Sequence, residues 1–380
     1  MDRPLGGMIR LAILGSTGSV GRQALRIVDE HPGRFEVVAL IAGSDAGSLE
    51  DQVERYSPEM AGLAALDQHA RFATGSALLV EAASRPDVDV VLNAVVGSRG
   101  LAPTLAALKA GTRVALANKE SLIAGGPLIR DLLKADPSLL LPVDSEHAAL
   151  AQCLTGIPRD QIARIRLTAS GGPFRGRGRK QLEGVSVAEA LDHPTWRMGN
   201  RITIDSATLF NKGLELIEAC HLFDLTPDRV EAVIHPQSII HAMVDLVDGS
   251  TLMQAAVPDM RIPIAAALLH PEKVPVGVDH VDWADIGELS FEPIDHEAFP
   301  AVRLALEAIA LGGTAPAIIN AADEEAVAAF LDGQIGFLDI MAIVTETLQR
   351  VEPEPIEDLS GVSAAERAAR ETARTLIDKV

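Results

Sequence analysis

The apolar run Ile9–Leu14 passes directly into Gly15-Ser16-Thr17-Gly18-Ser19-Val20-Gly21, and a helix-patterned segment follows from about Arg22 to Glu30. A strand, a glycine turn and a helix in that order make a β–α unit. Glycines let the backbone turn tightly and let N–H groups approach a phosphate, while the helix N-terminus adds a partial positive charge. The spacing is GxxGxxG, a relative of the GxGxxG fingerprint that carries little by itself and gains from the strand before it and the helix after it. Gly15, Ser16, Thr17, Gly18, Ser19 and Val20 are thereby candidate contacts to a dinucleotide; a glycine-rich turn without a ligand is the alternative.

Apolar runs and helix-like segments go on alternating: Phe35–Ile41, Val88–Ala94, Leu101–Ala110, Arg113–Ala117 and Leu139–Val143. This predicts βαβ units on a parallel sheet. From Ile162 the pattern changes, and Arg164–Thr168, Arg201–Asp205, Val230–His235 and Ser250–Ala256 read as strands of a mixed sheet. Glu272 to His296 lacks periodicity and suits an extended linker. Val302–Leu311, Ala317–Leu331, Leu338–Val351 and Ser363–Lys379 have helical spacing. The expected fold is α/β, with an N-terminal Rossmann-like parallel sheet, a central α+β catalytic domain and a C-terminal helical bundle. The expected division is a dinucleotide-binding domain over 1–150, a metal and substrate domain over 151–271, a linker over 272–296 and the bundle over 297–380.

A chain of 380 residues exceeds what one core usually organises, and 48% apolar with 3% aromatic content means an interior of Ala, Val, Leu and Ile. The net charge of -20 opposes nucleic acid and anionic lipid. The basic stretch Arg175–Lys180 lacks interleaved aromatics and reads as a solvated loop. Two cysteines, Cys153 and Cys220, form no disulfide framework, which suits a reducing compartment. Met1–Arg10 has no signal-peptide core, and the most apolar windows fall short of a membrane span. A soluble, cytoplasmic protein is expected.

In the usual fingerprint an acidic residue after the second strand binds a ribose hydroxyl, and a nearby cation accommodates a 2′-phosphate. Here that strand ends Ala42-Gly43-Ser44-Asp45, with no Lys or Arg, which by itself favours NADH. Arg22 is either a substitute cation or a solvated helix residue.

Asp144 and Glu146 follow the run Leu139–Val143; on an extended chain both project to one side and offer oxygen ligands to a hard divalent cation. Exposed acids at a strand end are the other reading. If Asn211-Lys212-Gly213-Leu214-Glu215 is helical, Asn211 and Glu215 share a face, and Lys212 is placed to neutralise a phosphate. Ala169-Ser170-Gly171-Gly172-Pro173 is a small-residue turn that either cradles phosphate oxygens or is a plain loop. His193-Pro194-Thr195-Trp196-Arg197-Met198-Gly199 places one of two tryptophans in a loop, as a closing lid would, or else Trp196 is core and His193 structural.

Eight ordered blocks carry a resemblance: GSTGSVG at Gly15, ANKESL at Ala117, LPVDSEH at Leu141, SGGPFR at Ser170, HPTWRMG at His193, DSATLFNKGLE at Asp205, HPQSIIHAMV at His235 and PDMRIPI at Pro258. Together they span nearly the whole chain, which resembles the 1-deoxy-D-xylulose 5-phosphate reductoisomerase family. The resemblance implies rearrangement of a ketose phosphate to an aldehyde and its reduction to 2-C-methyl-D-erythritol 4-phosphate, with NADPH and Mg²⁺ or Mn²⁺. It implies Asp144, Glu146 and Glu215 as metal ligands, and Ser170, Ser206, Asn211 and Lys212 at the substrate phosphate. Ser145 and His193 meet the carbon backbone, Trp196 and Met198 lie in a mobile lid near 193–199, and Lys119 lies near the nicotinamide and substrate. Gly43, Asn118 and Glu120 join the glycine turn as expected cofactor contacts. A homodimer is implied too. The sequence departs from the family at Ser44-Asp45, where many members carry a basic residue, at Ala169, where Gly is common, and at the more acidic Asp323-Glu324-Glu325. The rival readings are another two-domain NAD(P)-dependent dehydrogenase, which needs no convergent carboxylates, and a catalytically silent dinucleotide-sensing protein.

Overall fold

The computed structural model describes residues 7–196 and 198–380. Met1 to Gly6, within the N-terminal stretch judged above, and Arg197 of the expected lid lie outside the described residues. The chain divides into two compact units: Met1–Ser121 with Pro127–Ala148 and Asp259–Asp279, and Leu122–Gly126 with Ala149–Pro258 and His280–Val380.

The first unit runs β1 (Ile9–Leu14), α1 (Ser19–Glu30), β2 (Phe35–Ala42), α2 (Ala46–Tyr56), β3 (Met60–Leu63), β4 (Ala73–Thr74), α3 (Ala77–Ala83), β5 (Val90–Asn93), α4 (Leu101–Lys109), β6 (Arg113–Leu116), both ends of α5 (Lys119–Leu133), β7 (Leu140–Pro142) and the start of α6 (Ser145–Leu154). Its sheet has the order β4-β3-β2-β1-β5-β6-β7, and every pairing is parallel. The central strands β1, β2, β5 and β6 are buried nearly end to end, as unbroken apolar runs require when helices cover a parallel sheet. Leu11, Ile13, Leu40 and Leu92 pack with Ala24 and Ile27 of α1. Because β1 pairs with β2 on one side and β5 on the other, the strand order reverses at β1 and β5, whose carboxyl ends are where folds of this kind take ligands.

The second unit holds β8 (Ile162–Ala169), α7 (Val187–Leu191), α8 (Asn200–Ala207), α9 (Phe210–Phe223), β9 (Val230–Ile234), β10 (Ile240–Leu246) and β11 (Thr251–Ala255). Its sheet has the order β11-β10-β8-β9, with β8 parallel to β9 and the other pairs antiparallel. The next helix, α10 (Arg261–Leu268), belongs to the first unit, where it packs on α1, β6 and β7 through Ile264 and Leu268. The chain thus returns to the first unit over Asp259–Asp279, inside the span expected to be 151–271 and into the expected linker. Then come α11 (Trp283–Ile286), α12 (Ala301–Leu311), α13 (Ala315–Leu331), α14 (Phe337–Arg350) and α15 (Leu359–Ile377). These later helices share one core with the second sheet: Ile165, Leu167, Phe210 and Leu214 pack in the same cluster as Ile318, Ile319 and Val344.

One element differs in kind from expectation. Arg201–Asp205, expected as a strand from its alternating Ile202 and Ile204, is the middle of α8. The fold decides it: Thr203 Oγ1 donates to Gly199 O at 2.9 Å, and Ile204 is fully buried.

Candidate functional site

In the first unit the glycine turn has the geometry its composition demands. Gly15 has φ +87°, and a Cβ there would stand 2.4 Å from Ala94 O, so no side chain fits where the β1 turn meets the segment leaving β5. A Cβ on Gly21 would lie 2.4 Å from Gly15 O. Gly15 N and Ser16 N both donate to Ile41 O, at 2.7 and 3.1 Å, which fastens the turn to β2. Gly18 is the N-cap of α1 and makes no side-chain cap bond. Ser16 Oγ is buried and has no hydrogen-bond partner among the described residues. Such a turn is open to an anion. At Gly43, by contrast, a Cβ would meet nothing within 4 Å, and Asp45 turns to its own helix: its carboxylate accepts the N–H of Ser48 at 3.1 Å and caps α2. That bond, with the Ser48 hydroxyl, holds the Asp45 carboxyl below its ordinary range.

Asn118 and Glu120 act on the loop after β5. Asn118 caps α5, accepting the N–H of Ser121 at 3.0 Å, and its amide donates to Val95 O (2.8 Å) and Gly97 O (2.9 Å). Glu120 accepts the N–H of Gly97 at 3.0 Å. The two side chains therefore fasten the loop that follows β5. Val96, on that loop, is 74% exposed.

Asp144 does not sit on an extended strand beside Glu146, as expected. It stands at the N-terminus of α6, where its Oδ1 accepts the N–H groups of Glu146 (3.2 Å) and His147 (3.4 Å). Asp is a strong N-cap, and this carboxylate satisfies two donors that the helix cannot. Glu146 consequently lies in the first helical turn, with its Oε2 accepting from Ser145 Oγ at 3.0 Å. The buried His147 places Nδ1 2.8 Å from Asp144 Oδ1, and Lys119 Nζ donates to Asp144 Oδ2 at 3.2 Å.

In the second unit, Ser170 follows β8 in a turn where Gly171 and Gly172 have φ +89° and +64°. A Cβ on Gly172 would meet Ser206 O at 2.8 Å, so the absence of a side chain lets the Ser170 turn close on the end of α8. Leu209, at φ 60°, then turns the chain into α9, with its N–H donating to Ser206 O at 3.2 Å. In the first turn of α9, Asn211 Nδ2 donates to Glu215 Oε1 at 2.5 Å, and Lys212 Nζ pairs with the other oxygen of the same carboxylate. Lys212 and Glu215 are both buried. The helical reading of this segment, with Asn211 and Glu215 on one face, holds.

His193 bridges the Ser170 turn and the segment after α7. Its Nδ1 accepts the N–H groups of Thr195 (3.2 Å) and Trp196 (2.9 Å), which leaves the proton on Nε2, 3.1 Å from Ser170 Oγ. Burial lowers its pKa, so the ring is neutral near pH 7. Trp196 and Met198 are half-buried. In the basic stretch Arg175 pairs with Glu292 at 2.6 Å and Arg177 lies over the Phe174 ring, as a solvated loop would arrange them.

Three family models match the chain: "1-deoxy-D-xylulose 5-phosphate reductoisomerase" over residues 11–126, its C-terminal domain over 140–223, and "DXP reductoisomerase C-terminal domain" over 255–372. The reductoisomerase of Leifsonia xyli is 50% identical over 370 residues, covering 97% of this chain and 99% of that one. The chain belongs to the 1-deoxy-D-xylulose 5-phosphate reductoisomerase family. The reductoisomerase of Thermomicrobium roseum is likewise 50% identical over 377 residues, covering 97% and 98% of the two chains. Among solved structures, the Zymomonas mobilis reductoisomerase in complex with NADPH has a TM-score of 0.90 at 42% identity, covering 98% of this chain and 100% of that one. A reductoisomerase in complex with NADPH, fosmidomycin and magnesium has a TM-score of 0.91 at 40% identity, with 98% of each chain covered.

Two features of this reductoisomerase chain escaped sequence reasoning. His147 looks like a surface residue after Glu146, and only its burial against Asp144 reveals it. The segment Asn93–Gly97 carried a signal that passed unread: an apolar run ending in Gly at the strand where the order reverses.

Proposed function

We propose that the chain converts 1-deoxy-D-xylulose 5-phosphate to 2-C-methyl-D-erythritol 4-phosphate, using NADPH and a divalent cation, with the dinucleotide at the glycine turn and the substrate phosphate at the Ser170–Lys212 region. The observation that carries this is identity of 50% along 97% of the chain to a reductoisomerase of nearly equal length. The residues present fit both groups. The uncapped α1 N-terminus, the side-chain-free Gly15 and the unpartnered Ser16 hydroxyl suit a pyrophosphate. Asp144, Glu146 and Glu215 are oxygen donors of the kind a hard cation such as Mg²⁺ or Mn²⁺ takes, and we assign the cation to these three. When bound, the cation supplies polarisation of the substrate's ketone and hydroxyl oxygens, and NADPH supplies the hydride.

The chain's own residues do the rest. His147 and the α6 N–H groups fix the orientation of the Asp144 carboxylate, and Lys119 places a positive charge beside it. Ser170, Ser206, Asn211 and Lys212 hold the substrate phosphate, whose binding energy orients the reacting carbons. Ser145 and the neutral His193 meet the carbon backbone, with Nε2–H of His193 as donor. Trp196 and Met198 close over the substrate and exclude water.

The two cysteines are unpaired, in keeping with a cytoplasmic location, and no helix among the described residues is long and apolar enough to cross a membrane. A homodimer is supported by β11, an edge strand that exposes Leu252 and Met253. The decisive experiment follows NADPH oxidation with the ketose phosphate and Mn²⁺. Metal-dependent consumption with product formation is expected. Metal-independent oxidation would identify a different dehydrogenase, and NADPH binding without turnover a silent sensor.

A further inference from the structure

Asp323 of α13 is fully buried, and neither of its carboxyl oxygens has a hydrogen-bond partner among the described residues. Its neighbours explain how it is tolerated. The Asp205 carboxyl of α8 stands within hydrogen-bond reach, and Arg201 of α8 comes only to 3.7 Å from each carboxylate, through Nη2 to Asp323 and Nε to Asp205. Arg201 makes its close contacts elsewhere: Nη1 donates to Glu324 Oε1 at 2.7 Å and Nη2 to Asn320 Oδ1 at 3.0 Å. Glu324 also pairs with Arg370 of α15, and Glu325 with Arg370 (3.2 Å) and Arg374 (2.7 Å). So Glu324 and Glu325 each have close guanidinium partners, and Asp323 has a carboxyl.

Among the described residues, the charged groups acting on Asp323 are Arg201 and Asp205 from α8 and Glu324 from its own helix. From α15, Arg370 and Arg374 reach the acidic run through Glu324 and Glu325, and Glu366 acts on Arg370. The charged residues of α12 and α14, namely Arg303, Glu307, Asp339, Glu346 and Arg350, are none of them buried. The buried Asp323 carboxylate repels that of Asp205, and neither Asp323 oxygen meets a donor among the described residues while Arg201 stands 3.7 Å from both side chains, so ionised Asp323 is poorly solvated. A single proton between them turns the repulsion into a hydrogen bond.

We propose that Asp323 is a positioning residue for the phosphate end of the site: it stands as a neutral acid, donates to Asp205, and so fixes the last turn of α8, from which Ser206 is presented. This rests on the assignment of Ser206 to the substrate phosphate. Burial, and then Asp205, raise the Asp323 pKa well above the usual carboxyl range, in agreement with that state. Ser206 follows Asp205 directly, and its backbone oxygen is packed against Gly172 of the Ser170 turn. A shift of the Asp205 carboxyl therefore moves the hydroxyl that closes the phosphate cradle.

The test compares wild type with Asp323→Asn, Asp323→Leu and Ser206→Ala, reading KM for the ketose phosphate, kcat and Tm across pH. Asparagine donates to Asp205 at every pH; leucine never does. In wild type the native state holds a proton that the unfolded chain releases above the ordinary carboxyl range. Its Tm should therefore fall as pH rises from there toward the raised native value, and KM should rise about fivefold on the alkaline side, the effect of one hydrogen bond of ordinary net strength. Asp323→Asn should show a flatter Tm profile and a KM that does not rise, with kcat at the wild-type value. Asp323→Leu should carry the raised KM at all pH. If Asp323→Asn and wild type have superimposable KM and Tm profiles, the proposal is overturned, whether or not Asp323→Leu folds. If Ser206→Ala leaves KM unchanged, the phosphate assignment fails instead, and the Tm profiles still decide whether Asp323 holds the proton.

Discussion

His147 holds Asp144 by two of its groups: the imidazole Nδ1 stands 2.8 Å from Asp144 Oδ1, and the His147 backbone N–H donates to the same oxygen at 3.4 Å. Because the carboxylate only accepts, the proton resides on Nδ1, and the buried ring fixes which way Asp144 presents its second oxygen. Outer partners of this kind tune metal affinity by about 10- to 100-fold. His147→Ala should raise the Mn²⁺ concentration needed for half-maximal activity by that order. Asp144→Asn removes a carboxylate of the proposed cation site and should lower kcat by about a thousandfold or more, with NADPH affinity unchanged, since the glycine turn is untouched. Wild-type turnover in Asp144→Asn would contradict the metal assignment.

Gly15 and Gly43 make a matched pair. Gly15→Ala places a Cβ 2.4 Å from Ala94 O on a backbone with φ +87°, whereas the same change at Gly43 meets open space. Gly15→Ala should cost about 1–3 kcal/mol of stability and weaken NADPH binding, both measurable by thermal unfolding with and without the dinucleotide. Gly43→Ala should leave both near wild type. Equal effects would show that the crowding at the β1 turn is not what limits the site.

How much of this was legible beforehand depended on whether the deciding contact was local. The β1 turn was legible because an apolar run, glycines and a helical pattern are consecutive. The pairing of Asn211 with Glu215 was legible because helical spacing alone puts them on one face. α8 was not, since Ile202 and Ile204 alternate with polar residues as in a strand, and what decides for a helix is its packing against α7, α9 and α13, which the pattern of the segment does not show. The placement of Asp144 was misjudged because the strand Leu140–Pro142 stops one residue earlier than its apolar pattern, and Asp144 then serves as a cap. The return of Asp259–Asp279 to the first unit leaves no local signal at all.

Asp45 bears on the dinucleotide. Its carboxylate is turned to Ser48 N, where it caps α2, so its position in the sequence does not by itself argue for a ribose hydroxyl. We expect kcat/KM with NADPH to exceed that with NADH. Asp45→Ala should cost about 1 kcal/mol of stability through the lost cap and leave the NADPH preference standing. A strong NADH preference in wild type would reverse this reading.

Lys212 pairs with Glu215 inside the second unit, and both are buried. If Lys212 holds the substrate phosphate as proposed, removing the ammonium takes away a charge-assisted contact of the kind that contributes about 1.5–3 kcal/mol. Lys212→Ala should therefore raise KM and lower kcat together, with kcat/KM down about tenfold or more, because phosphate binding energy aligns the reacting carbons. An unchanged kcat/KM would remove Lys212 from the phosphate site.

His193 gives the site an acid limit. Its neutral form accepts the N–H groups of Thr195 and Trp196 on Nδ1 and donates from Nε2 to Ser170 Oγ. Protonation puts a hydrogen on Nδ1, which then faces two donors, and the turn carrying Trp196 loses both bonds. Burial holds the His193 pKa below its ordinary value of 6.5. As pH falls, the unfolded chain takes the proton first, so this stability is complete above 6.5, declines below it, and levels off only beneath the depressed native value. The KM for the ketose phosphate should rise through that lower range as the turn is released. In His193→Gln the acid limb of KM should flatten, at the expense of a higher KM at neutral pH where the Nε2–H donor is lost. A variant that keeps the wild-type acid limb would assign that titration to another group.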